Sequence, residues 1–254
     1  MPTVGEIFEF LNGKAPVSTK MDFDNVGLLV GDENWQTDTV LLSLDITENV
    51  VREAAEAGAG LVVSHHPLFF GLKTVSSRDP QGKKAVELLT SRIAAICMHT
   101  NLDAADGGVN DALAAALGLC DAAPCEPEHI CRLGRLREEK SLPDFLALVK
   151  DKLGCGGLRY VDGGKPVRLV AVGGGSCGGM LEETAAAGCD TFVTADVKYD
   201  VFLRAKELGL NLIDAGHFNT ENVVIPVLAE WLRGAFPGLR VLIARHGQTE
   251  RYFV

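Results

Sequence analysis

The chain has 254 residues, 47% hydrophobic and 23% charged, the balance of a soluble globular protein with room for one large or two small domains. Its formal net charge of −10 disfavours general binding to nucleic acid, whose phosphates it would repel, but admits a small anionic substrate received by a metal or a local basic group. No apolar run reaches the roughly 18 residues of a membrane-crossing helix, so no membrane association is expected. The seven cysteines are odd in number, scattered, and nowhere spaced as CxxC. Neither a disulfide framework nor a thiolate zinc knuckle is expected, and reduced cysteines in a cytoplasmic protein are.

The first sixteen residues, MPTVGEIFEFLNGKAP, read as an amphipathic helix and not as a signal peptide. Apolar runs then alternate with helical patterns. Residues 39–46 (TVLLSLDI) read as a strand, 47–58 as a helix ending at glycine, and 59–66 (AGLVVSHH) as a strand. Residues 79–91 predict a helix, 92–103 begin as a strand, and 107–119 predict a helix. The scheme recurs in strands at 166–174, 189–196 and 210–217, with helices at 178–188, 198–209 and 219–236. REAAEAGAGLVVSHH and LEETAAAGCDTFVTAD share one plan: an acidic, alanine-rich helix, glycine, a buried strand, then polar residues. The expected fold is α/β, with two related lobes, each a mainly parallel sheet flanked by helices. The proline-bearing stretch 120–136 marks the expected boundary. Lobe one would span 1–125 and lobe two 126–238, with the tail 239–254 adding strands that pack back on lobe one.

The unusual polar residues fall at the carboxyl ends of the predicted parallel strands, the edge where open α/β sheets bind ligands. His65 and His66 follow one strand, His99 and Asp103 the next, and His217 and Glu221 the third strand of lobe two. Histidine with carboxylate suits zinc, manganese or iron better than magnesium or calcium, which prefer oxygen shells. Successive residues of extended chain point to opposite sides, so His65 and His66 are expected to diverge. They could serve two neighbouring ions, or one could ligate while the other packs or hydrogen-bonds. Asp103 and Glu221 could each offer two oxygens, one per ion. Two further features stand behind these. The glycine-rich turn at 173–179 joins a strand to a helix as phosphate-binding turns do, but lacks the GKS/T ending of a P-loop. Asp196 aligns with His66 in the repeat, and Lys198 nearby could meet an anion.

DNVGLLVG (24–31), SHHPLFF (64–70), HTNLDAADGGVNDALA (99–114) and DAGHFNTE (214–221) together resemble the signatures of the YbgI-type dinuclear metal-centre family. Its members are also called NIF-three-like and GTP cyclohydrolase 1 type 2 homologs. The match runs in order over nearly the whole chain; TADVKYD departs from it at Ala195 and Asp200. The resemblance implies two α/β lobes without an inserted third domain, and a dinuclear site at their interface. Its ligands would be His65, His66, Asp103, His217 and Glu221, with His99 close by, either supporting the ligands from behind or carrying a proton. It also implies a hexameric ring built as a trimer of dimers.

The resulting expectation is a metal-dependent hydrolase carrying two divalent ions per chain, zinc, iron or manganese, acting on a small anionic substrate such as a nucleotide. In the activity the family name proposes, hydrolysis at C8 opens the guanine ring of GTP. A two-metal phosphoesterase is the nearest alternative. An oligomeric metal-binding scaffold without catalysis is a second, and it would have no open position on its ions. A nucleotide-binding regulator using the glycine-rich turn is a third.

Overall fold

The computed structural model describes residues 1–126 and 129–246. In chain order the elements are α1 (Val4–Lys14), β1 (Gly27–Val30), β2 (Thr39–Ser43), α2 (Glu48–Ala57), β3 (Leu61–Ser64), α3 (Pro80–Thr90), β4 (Ala94–Cys97), α4 (Thr100–Ala104) and α5 (Val109–Ala116). They continue with β5 (Cys120–Pro124), β6 (Arg132–Lys140), α6 (Leu142–Leu153), β7 (Arg159–Val161), β8 (Val167–Val172), α7 (Leu181–Ala186) and β9 (Thr191–Thr194). The last are α8 (Tyr199–Leu208), β10 (Asn211–Asp214), α9 (His217–Glu221), α10 (Val224–Ala235) and β11 (Arg240–Ile243). Among the described residues, two compact units result, one from Met1–Asp106 with 225–246, the other from Gly107–Val224.

The first unit holds a five-stranded sheet in the order β1-β4-β3-β2-β11. β11, β2, β3 and β4 run parallel, and only the edge strand β1 is antiparallel. Every residue of β2, β3 and β4 is buried, which is why these strands read as unbroken apolar runs: helices cover both faces of a parallel sheet. Thr47 caps α2 by accepting from the Val50 amide, and α2 buries Val50, Val51 and Ala54 in a core shared with Leu41, Val62, Leu88 and Ala95. Phe10 of α1 meets Phe236 edge to face, with ring centroids 5.6 Å apart, which fixes the end of α10 against the N-terminal helix.

The second unit holds a six-stranded sheet in the order β5-β6-β8-β9-β10-β7. Here the expectation of a mainly parallel sheet needs correcting. β8, β9 and β10 are parallel, but β5, β6 and β7 add antiparallel pairings at the two sides. β6, RLGRLREEK, alternates buried and exposed positions along its first half, a half-solvated strand hidden in the sequence by its charge. β5, β6, α6 and β7 occupy the region that the periodicity left unassigned, and the units divide at residues 106 and 107 rather than near 125. The helix expected over 219–236 is two helices, α9 and α10. Pro226 explains the gap, since it has no amide hydrogen and its ring crowds the carbonyl four residues back, at Asn222. The tail beyond residue 246 lies outside the described residues.

All seven cysteines are free thiols. Among the described residues, no helix is long and apolar enough to cross a membrane.

Candidate metal centre

Parallel register builds the first half of the site. Ser43, Ser64 and Cys97 are aligned across β2, β3 and β4, so the residues just beyond them emerge at one edge of the sheet. There the chain leaves strand geometry. The Ser64 hydroxyl donates to the carbonyl of His66 at 2.7 Å, and the Ser43 hydroxyl does the same to Asp45 at 2.8 Å. His65 and His66 donate their amides to the carbonyls of Ser43 and Leu44. The expected divergence of the two histidines is thereby corrected. They sit in a bend beyond the strand, where alternation no longer applies, and their ring centroids are 5.0 Å apart. His99, just ahead of α4, lies 5.2 Å from the His65 ring and 5.6 Å from that of His66. One nitrogen from each of the three rings can be chosen so that all lie within 4.8 Å of one another.

Each of these rings is oriented from behind by an acceptor. His65 donates through Nδ1 to the Met98 carbonyl at 2.9 Å, His66 through Nδ1 to Asp45 at 2.8 Å, and His99 through Nδ1 to Asp24 at 2.8 Å. A neutral imidazole that donates through Nδ1 keeps its lone pair on Nε2, and an acceptor behind the ring raises the basicity of that nitrogen. Asp24 also accepts from the amide and hydroxyl of Thr100, at 3.0 and 2.5 Å. Burial pushes its carboxyl up, but the hydrogen bonds from His99 and Thr100 outweigh burial and hold it well below the usual carboxylate range. Asp103 is buried on α4 with Oδ1 3.6 Å from His65 Nε2. Cys97, by contrast, donates its thiol to the His65 carbonyl at 3.0 Å, and burial keeps that thiol protonated, so it braces the histidine and is no ligand.

The second unit supplies another donor pair on α9. His217 and Glu221 are one turn apart, on the same side of the helix, with Nε2 and Oε2 3.0 Å apart. Asp196 accepts from His217 Nδ1 at 2.7 Å, again leaving Nε2 with the lone pair. Asp196 follows β9 by two residues, as His66 follows β3, and takes a left-handed backbone at φ +51°. Its loop is braced by Asp214, which accepts from the Val197 amide at 3.0 Å and pairs with Arg159. Lys198 stands exposed at the head of α8.

The glycine-rich turn has a different task from the one its composition suggests. The Gly174 amide donates to the Asn110 side chain at 2.7 Å and that of Gly175 to the Thr220 hydroxyl at 3.0 Å, so neither can cradle a phosphate. A Cβ on Gly175 would stand 2.0 Å from Glu221 Oε1 and 3.2 Å from His217 Cε1. The turn is glycine so that backbone can lie against the carboxylate of Glu221 and set its position.

Both donor sets pass the test of fit for a borderline divalent ion: oriented imidazoles with a lone pair outward, and buried carboxylates beside them. The orienting carboxylates Asp24 and Asp45 were not singled out in the sequence. Asp45 had a signal, for it follows β2 by two residues at the same sheet edge, whereas Asp24 was visible only as the first residue of DNVGLLVG.

The fold agrees with that of known proteins. A family model described as Duf34/NIF3 (NGG1p interacting factor 3) matches residues 2–250. A protein from Clostridium perfringens named GTP cyclohydrolase 1 type 2 homolog is 36% identical, over 89% of this chain and 90% of its own. Staphylococcus aureus hypothetical protein SA1388, of known structure, superposes with a TM-score of 0.91 at 27% identity, covering 100% of each chain. A solved protein ybgI, described as of unknown function, gives a TM-score of 0.86 at 26% identity, over 95% of this chain and 97% of that one. The sequence match over nearly all its length, on this two-sheet architecture, makes the chain a member of the Duf34/NIF3 family.

Proposed function

We propose that this protein is a dinuclear metal-dependent hydrolase whose ions are held by His65, His66, Asp103, His217 and Glu221. The observation that carries the reading is the shared orientation of the histidines: each donates through Nδ1 to an acceptor behind it and keeps Nε2 for a ligand. Zinc, iron or manganese suits this nitrogen and oxygen set. When bound, such ions would supply Lewis acidity and counter-charge to an anionic substrate in a chain whose net charge is −10. His99, which is held by Asp24 beside His65 and His66, would carry a proton. A nucleotide is the proposed substrate class, with hydrolytic opening of the guanine ring of GTP the specific candidate that the relative's name supports. A cytoplasmic hexameric ring belongs to the same reading.

Elemental mass spectrometry of protein purified without chelator or affinity-column metal should find about two ions per chain. An absence of metal, even after reconstitution, would overturn the proposal. Glu221→Ala should lose at least one ion with the circular dichroism spectrum unchanged; unaltered metal content would remove Glu221 from the ligand set. Asp45→Ala should leave the ligands in place but weaken metal binding about 10–100-fold, because the His66 ring loses the carboxylate that orients it. A metal titration with a competing chelator measures that loss.

A further inference from the structure

Outside the metal centre, the second unit gathers Cys125, Cys131, Cys177 and Cys189 in one core cluster around Phe192 and Leu212. Cys125 and Cys131 stand directly across from each other, one step beyond the register that pairs Pro124 with Arg132, and the Cys125 amide donates to the Cys131 carbonyl at 3.3 Å. Side chains directly opposite on antiparallel chains share a face, with Cα atoms about 4.5–5.5 Å apart, inside the range of about 4.4–6.8 Å that a disulfide spans. Cys131 is buried and its backbone is held by Glu126, whose carboxylate accepts from the Cys131 amide at 2.6 Å. Cys125 is partly exposed. Cys177 also touches Cys131, but its thiol is turned to the Gly174 carbonyl at 3.1 Å.

We propose that Cys125 and Cys131 form a redox-active dithiol that closes to a cross-strand disulfide by exchange with a small-molecule disulfide of the glutathione type. Cys125, the reachable member, attacks as the thiolate. It forms a mixed disulfide with one half of the reagent and displaces the other as a thiolate, which takes up the proton Cys125 lost. The Cys131 sulfur then attacks Cys125 Sγ, its proton passes to the second leaving thiolate, and the Cys125–Cys131 bond is made. Two protein thiols are oxidised and one small disulfide is reduced to two thiols. The hydrogen bond from Cys131 holds the Cys125 thiol below its ordinary value, whereas the neighbouring thiols of Cys125 and Cys177, with burial, push that of Cys131 well above. That asymmetry matches the order of attack. The site is independent of metal and of the hydrolase reading.

The full chain, incubated with glutathione disulfide, alkylated and mapped by peptide mass spectrometry, should yield a Cys125–Cys131 cross-link. Its thiol titre should fall by two per chain and return with dithiothreitol. Cys131→Ser should stop at the first step, with one glutathione parked on Cys125, and Cys125→Ser should yield no bond at Cys131. A wild-type chain that keeps its full thiol titre, or a cross-link joining other cysteines, would overturn the assignment. So would glutathione settling elsewhere than on Cys125 in the Cys131→Ser protein.

Discussion

Gly175→Ala is expected to destabilise the protein and to deplete its metal together. The left-handed conformation, φ +62°, costs an alanine about 1–2 kcal/mol. The steric cost is greater, because the new Cβ would fall 2.0 Å from Glu221 Oε1, deep inside van der Waals contact, and the carboxylate would have to move. Forcing extra volume into a packed site costs about 1–3 kcal/mol more, and here it displaces a proposed ligand. Gly58→Ala is the control. Gly58 ends α2 at φ +70° with nothing within 4 Å of its would-be Cβ, so an alanine there meets only the conformational cost. Urea unfolding should therefore show the Gly175 variant clearly less stable than the Gly58 variant, and only the former should lose metal. Equal stabilities, with metal retained in both, would mean that the close approach to Glu221 has no consequence.

Asp24→Asn should cost about 2–3 kcal/mol, since it removes a charge from four hydrogen bonds in a buried setting and turns an amide group toward donors. The pH dependence gives the sharper test. The Asp24 carboxyl is held below the usual range in the folded protein, so the folded state binds its proton less readily than the unfolded chain does. Its contribution is thus complete above the unfolded value of about 3.9 and is lost as pH falls from there through the folded value. Wild type should lose stability on acidification from about pH 4 more steeply than the Asp24→Asn variant. Parallel stability curves for the two proteins would show that Asp24 carries no net stabilising charge.

The dithiol and the metal centre draw on different parts of the second unit, but the turn at Gly173–Gly175 lies between their machinery. Cys177 donates to the Gly174 carbonyl, and Gly174 and Gly175 back onto Glu221. The cysteines look unremarkable in sequence because Cys125 and Cys131 are separated by an ordinary loop spacing; only the antiparallel register of β5 and β6 sets them opposite each other.

From the sequence by itself, the parallel core of each sheet was legible. Strands buried on both faces must be apolar throughout, and the helices between them must carry a stripe and a cap, so β2, β3, β4, β8, β9 and β10 announce themselves. The candidate donors were legible for a related reason: polar histidines and carboxylates at the carboxyl ends of such strands have no packing role there. The half-solvated strands β5 and β6 were not, because such a strand needs little apolar sequence and takes its stability from the neighbours it pairs with. Tertiary structure alone decided how the donors are aimed. Whether His65 and His66 diverge or converge depends on the bend made by Ser43 and Ser64, and which nitrogen each ring keeps depends on acceptors as distant in sequence as Asp24 is from His99. Likewise, the glycines at 173–175 suggest a phosphate loop by composition, and only the packing of Glu221 against them reveals that they make room for a carboxylate.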